Sequence, residues 1–218
     1  KLYIIDLKKV EFAYLSGIAT ATKFTLKGSV EVLESLTKEM EWRKDFLSRE
    51  GFVSAKEWRK ANPDKKENLP YHVLVVDEFS QLCPVLSKGQ KDRETRNYTH
   101  KLLTDLISTA RSLGIQTVIA TQYPHHEILP GAMKQNIPAT VAFKCRTRVN
   151  SQVCLDNDRA ADLPSPQEIP GRAIWQHIEE REVQTYFLPL EEARRLIKKK
   201  TLPRTPLPAD NLPKKLKI

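Results

Sequence analysis

No apolar run in this chain approaches the roughly 20 residues needed to span a bilayer, so no membrane-spanning helix is expected within it. The opening KLYIIDLKKV does not read as a signal peptide: Asp6 breaks a short apolar run, and no small-residue cleavage site follows. Cysteine is scarce and odd in number. Cys83, Cys145 and Cys154 form no CxxC, so neither a disulfide framework nor a zinc site is suggested. Reduced thiols, and hence a cytoplasmic setting, are the expectation. His125 and His126 adjoin no cysteine pair and read as part of a surface loop. No internal repeat is visible. Nothing matches GxxxxGK[ST], the glycine-rich loop whose lysine and backbone cradle nucleotide phosphates.

What is present fits a soluble globular class. The 218 residues suffice for one domain, or one domain and an appendage. Hydrophobic residues make up 40% and charged residues 29%. The net charge of +9 suits a polyanionic partner, although part of it lies in RRLIKKK (194–200) and KKLK (214–217).

Hydrophobic periodicity marks alternating elements. LYIIDL (2–7) reads as a short buried strand. Residues 29–49 read as an amphipathic helix with Ser29 as its N-cap and Gly51 past its end. A polar connection follows, with a short helix at 54–60. HVLVVD (72–77) is a strand, SKGQKDRETRN (87–97) a mobile loop, 98–114 a helix and QTVIATQ (116–122) another strand. ILPGAMKQNIP is a short helix or turn, and ATVAFKCR (139–146) a further strand. This alternation predicts a mainly parallel sheet with crossover helices. Residues 170–189 then read as a hairpin and 190–200 as a helix with acids first and bases last. The Pro-rich, basic stretch 201–218 reads as a linker or disordered tail. The expected division is therefore a domain over 1–200 and a tail.

The stretch VLVVDE carries the chemistry. An apolar strand ends abruptly in Asp77 and Glu78, and a charge buried there needs a partner. In P-loop NTPases a strand delivers an Asp to the Mg²⁺ shell, and a following Glu can take a proton from the attacking water. A second strand ends in Thr121 and Gln122. In a parallel sheet the C-terminal strand ends form one rim, where ligands bind.

VVDEFSQL, TARSLGIQTVIATQYP, ILPGAMKQNIPATVAFKCRTRVNSQVCLD and PGRAIWQ occur in that order, and together they resemble the FtsK/SpoIIIE family of DNA-pumping ATPases. LYIIDLKKVEF is similar to the family's second core strand and its Asp-x-Lys segment. The resemblance implies a RecA-like α/β P-loop NTPase core that works as a ring, usually a hexamer, around double-stranded DNA. It implies use of ATP and Mg²⁺, in chromosome segregation or conjugative transfer. It makes Asp77 and Glu78 the Walker B pair, with Asp77 at the metal, and places Thr121 and Gln122 at the nucleotide, Gln122 as sensor of the γ-phosphate. It puts Arg111 where such motors reach a neighbouring subunit's nucleotide, with Arg43 as the alternative. KCRTRVNSQ falls where the family turns a loop toward DNA, so Lys144, Arg146 and Arg148, alternating on an extended chain, would contact phosphates.

The chain departs from that pattern in three places. Tyr123 stands where an arginine is usual, and Gln152 where a second basic residue is common. In the family the missing lysine loop precedes the strand that here opens the sequence. The chain is therefore expected to begin inside the domain, to lack the first strand, to leave a sheet edge or core surface exposed, and to hydrolyse no ATP alone at a useful rate. A membrane anchor upstream in a parent protein is compatible with the resemblance. Type VII secretion ATPases share DEF, RSLGI and ATQ, so a protein-moving relative, or a non-hydrolysing copy that docks protein, is the alternative.

Overall fold

The run HVLVVD is apolar enough to lie inside a sheet, and it does. The computed structural model describes residues 1–198, so residues 199–218, with the expected tail, lie outside the described part. In chain order the elements are β1 (Leu2–Asp6), β2 (Ala21–Lys23), α1 (Leu26–Arg49), α2 (Ala55–Ala61), β3 (His72–Asp77), α3 (Gln90–Thr109), β4 (Ile115–Ile119), α4 (Gly131–Lys134), β5 (Thr140–Phe143), α5 (Arg148–Leu155), α6 (Arg159–Asp162), β6 (Arg172–Gln176), β7 (Glu180–Gln184) and α7 (Leu190–Lys198). Short 3₁₀ turns fill several connections.

Four strands form a parallel sheet in the order β2-β1-β3-β4. Register pairs Asp6 with Asp77 and Val76 with Ile119, so the strands end along one rim. Leu74 and Val76 of β3 point into the main core with Ile5, Val32, Leu33, Leu36, Leu103 and Leu106. Each such buried aliphatic side chain contributes about 2 kcal/mol. Val73 and Val75 face the other way and are only half-buried. At the edge of the sheet, Val118 of β4 is 52% exposed.

Arg43 is fully buried in α1. Its guanidinium donates to the carbonyls of Leu113 (2.8 Å) and Pro70 (2.6 Å), and to Glu39 (2.8 Å). One side chain therefore ties α1 to the turn before β4 and to the approach to β3. All its charge is used internally, which removes it as the alternative arginine finger. Gly114 in that turn has φ +82, and a Cβ there would sit 3.1 Å from Arg43 Nη1.

The structure differs from expectation in several elements. Helix α1 starts at Leu26, because Thr25, not Ser29, is the N-cap; its hydroxyl accepts the Gly28 amide at 3.1 Å. Most of the expected mobile loop is the first half of α3. Asp92 accepts the Lys88 amide (2.8 Å) and Arg96 Nε (3.0 Å), and Arg96 also donates to the Gln81 carbonyl. Such i,i+4 pairs hold a polar helix that has no apolar periodicity to reveal it. Strand β2 is three residues long and was not anticipated. Strand β5 does not join the parallel sheet; it pairs antiparallel with β6 in a separate sheet, β5-β6-β7. That sheet has its own small core of Ala142, Leu155, Ala160, Leu163 and Ile174. The expected C-terminal hairpin and helix are present as β6-β7 and α7.

Candidate functional site

Where β1 and β3 end, three carboxylates crowd together. Asp6 is fully buried and accepts the amides of Lys9 (2.8 Å) and Phe12 (3.1 Å). That turn brings Lys8 back over the rim, with its ammonium 3.4 Å from Glu78. Asp77 lies beside Asp6, and its Oδ2 is buried with no hydrogen-bond partner among the described residues. Burial first, then the neighbouring Asp6, raises the Asp77 pKa. An orphaned carboxylate oxygen at a strand end fits a hard cation such as Mg²⁺. No group of three or more His, Cys, Asp or Glu among the described residues could hold a metal alone, so such an ion would complete its shell with phosphate and water.

Glu78 is set differently. Its backbone is left-handed, φ 47 and ψ 70, an arrangement that is costly for a residue with a Cβ. The side chain is buried, yet four groups donate to it: Ser80 Oγ (2.6 Å), Thr121 Oγ1 (2.8 Å), the Gln122 amide (3.1 Å) and Lys8 Nζ (3.4 Å). Burial alone would raise its pKa; these donors outweigh burial and hold it low. Glu78 is thus an oriented carboxylate, and Oε2, facing the long Lys8 contact, is its less committed oxygen.

The β3 and β4 ends are stitched beyond the sheet proper. Ala120 donates to Val76 (2.9 Å) and Phe79 to Ala120 (2.7 Å), which delivers Thr121 and Gln122 to Glu78. Asp77, Glu78, Thr121 and Gln122, singled out in the sequence, therefore come together. Gln122 touches Glu78 through its amide while its side chain is exposed. Lys8 and Ser80 were not anticipated as site residues; the Asp-x-Lys segment after β1 was the available signal for Lys8.

Arg111 is not brought to this site within one chain. It is exposed in the turn before β4, at the opposite end of the sheet from the carboxylates, roughly 15 Å of strand away. The basic segment also differs from expectation. Residues 144–147 are irregular and α5 begins at Arg148, because Thr147 caps that helix by accepting the Asn150 amide (3.1 Å). Lys144, Arg146 and Arg148 therefore do not alternate on one extended face. Lys144 donates to the Ala161 carbonyl (2.6 Å), and Arg148 pairs with Asp158 (2.9 Å) and Asp162 (3.1 Å). Gln152 also donates to Asp158 (2.8 Å), while Arg146 and Tyr123 are exposed. Among the described residues no helix is long and apolar enough to cross a membrane.

A parallel sheet with flanking helices that carries carboxylates at its C-terminal rim is an α/β fold of the kind that binds ligands at that rim. The comparisons with known proteins agree. The chain is 30% identical over 207 residues to the DNA translocase FtsK of Oceanobacillus iheyensis, covering 90% of this chain and 25% of that protein. FtsK translocases of other bacteria match 75% of the chain at 30–34% identity. The chain is therefore homologous to a segment of the FtsK DNA translocases, and it spans about a quarter of their length. No family model matches. Among solved structures, the pCW3 conjugation coupling protein TcpA, monomer form with ATPγS, superposes with a TM-score of 0.82 at 22% identity, over 91% of this chain and 56% of that one. EssC (ATPases 2 and 3) of Geobacillus thermodenitrificans gives a TM-score of 0.65 at 16% identity, over 91% and 37%. Both likenesses concern the fold.

Proposed function

We propose that this chain is the Walker B half of an ATP-driven motor that moves double-stranded DNA, in conjugative transfer or chromosome segregation. The observation that carries the reading is the rim itself: an unpartnered buried oxygen on Asp77 beside an ionised Glu78 fixed by Ser80, Thr121, Gln122 and Lys8. Asp77 belongs in the Mg²⁺ shell. Glu78 orients the attacking water through Oε2 and takes its proton, Lys8 moving aside as it does so. The Gln122 side chain, free of Glu78, senses the γ-phosphate, with Thr121 beside it. Mg²⁺–ATP, when bound, would supply the phosphoryl group that is transferred. Arg111, far from its own rim, serves the neighbouring copy's nucleotide in a ring, usually of six. Arg146, with Lys144 and Arg148 once released from their internal partners, contacts DNA phosphates without sequence preference. The motor works at the cytoplasmic side.

Without a lysine loop this chain alone turns over no ATP at a useful rate. Hydrolysis is therefore to be measured on the chain alone and joined to a lysine-loop segment, each with and without linear duplex DNA. Turnover that DNA stimulates and Glu78→Gln abolishes, seen only in the joined form, supports the reading. Turnover by the chain alone, lost in Glu78→Gln, contradicts the inactivity. Turnover indifferent to DNA contradicts the DNA motor.

A second reading has one observation in its favour. Lys144 and Arg148 already have internal partners, which leaves less charge for DNA. A type VII secretion-like ATPase or a non-hydrolysing protein-docking copy would need no such charge. DNA-independent turnover, or no binding to duplex at low salt, favours that reading.

A further inference from the structure

The end of the parallel sheet opposite the carboxylates holds an anomaly of its own. His72 opens β3 on the face that carries Leu74 and Val76, so its ring points into the main core. It is 2% exposed, and neither ring nitrogen has a hydrogen-bond partner among the described residues. Buried polar groups are ordinarily paired, and one left unpaired costs free energy. Tyr3 of β1 lies against the ring, with centroids 5.3 Å apart and planes inclined at 51°. Ile115 of β4 stands opposite His72 in register.

The seam around this ring also grips the turn that carries Arg111. The His72 amide donates to the Gly114 carbonyl (2.9 Å), Arg43 of α1 to the Leu113 carbonyl (2.8 Å), and the Ala55 amide, at the start of α2, to the Ser112 carbonyl (2.9 Å). Three successive carbonyls are thus held from β3, α1 and α2. The charges facing the ring are mostly positive. Arg43 comes from α1, and the Lys1 side chain and α-amino group from the approach to β1. Glu39 of α1 is bound to Arg43 at 2.8 Å. Tyr3 is raised to about 12, mainly by burial, and stays un-ionised. Leu113, Gly114 and Ile115 bring no charge from the turn and β4. Burial first, then Arg43 and Lys1, lower His72 from 6.5 to about 3.

We propose that His72 makes this grip an acid-sensitive latch on the turn that carries Arg111. Neutral, the ring stays in the seam. Charged by a proton from solvent, it has no acceptor there and faces Arg43 and Lys1, so the turn lets go of β3, α1 and α2. An open seam exposes the ring to water, where it titrates at its ordinary 6.5. The closed form is therefore fully favoured above that pH. It loses about tenfold against the open form for each pH unit below it, until the closed form itself takes the proton. In the motor proposed above, release would withdraw Arg111 from the neighbouring copy's nucleotide. That consequence rests on the ATPase reading; the latch does not.

The test is amide hydrogen exchange on the full chain at about pH 7.5 and about pH 5.5, with each rate divided by that of an unstructured amide at the same pH. Protection of the Ala55 and His72 amides should fall about tenfold at the lower pH. The Ala120 amide, bonded to the Val76 carbonyl (2.9 Å) at the other end of the sheet, should keep its protection. His72→Phe keeps a ring against Tyr3 without a titratable nitrogen and should remove the pH response. His100 is also lowered by burial and stacks on Phe79 at 5.7 Å, so His100→Phe is the control that should retain the response. In the wild type, the His72 ring followed by NMR should stay neutral at both pH values, which decides the matter even where a variant fails to fold. Equal protection at both pH values, an equal loss at Ala120, a response that survives His72→Phe or vanishes in His100→Phe, or a His72 ring that titrates near 6.5 in the closed protein would overturn the proposal.

Discussion

Asp77 and Glu78 are adjacent in sequence, yet their environments push them in opposite directions. Folded Glu78 titrates below its ordinary 4.5, so its ionised form contributes stability above that pH, lost as pH falls through the folded value. Glu78→Gln should cost about 2 kcal/mol at neutral pH, since hydrogen bonds to a charged group are lost, and the deficit should shrink in acid. Folded Asp77 titrates above its ordinary 3.8, so ionising it costs stability as pH rises. Asp77→Asn should therefore raise Tm at neutral pH, and the gain should vanish below pH 3.8. Thermal melts of both variants from acid to neutral pH check the pair of signs; equal pH responses would contradict the described rim. These residues were legible because a strand that ends in charge is a local pattern. Lys8 was not, because its approach depends on the turn that Asp6 makes with two amides across the rim.

Elements were legible in proportion to their apolar periodicity. Helix α1, with Val32, Leu33, Leu36 and Met40 on one face, was readable, and its start was displaced only by the Thr25 cap. The first half of α3 has no such face; its support is the Asp92–Arg96 pair and the reach of Arg96 to the Gln81 carbonyl. The pairing of β5 with β6 instead of the parallel sheet was invisible, because strand partners are not written locally. The junction of α1 with the turn before β4 rests on Arg43. Arg43→Met would leave the Leu113 and Pro70 carbonyls without their donor and should lower unfolding free energy by about 3 kcal/mol, measured in urea. Gly114→Ala should cost about 1–2 kcal/mol, since it strains a left-handed residue and crowds Arg43. A neutral outcome for both would mean this junction holds nothing together.

For the whole molecule, net charge and its placement decide what salt should do. If duplex DNA binds, log affinity should fall linearly with log salt, and Arg146→Ala should flatten that slope by about one unit. Asp158→Asn should act the other way, because it frees Arg148 from one of its two carboxylates and leaves Asp162. Binding titrations at several salt concentrations read both effects. The basic composition was visible in the sequence, but the internal acids that occupy Arg148 were not. The antiparallel sheet with its five-residue core has a further consequence. So few buried side chains hold it that it should open well before the parallel sheet does. Amide hydrogen exchange should then show β5 and β6 trading their protons fast and together, while β1 and β3 stay protected. The segment carrying Arg146 would ride on the part of the molecule that breathes, able to fit an irregular polyanion without unfolding the rim that handles phosphate.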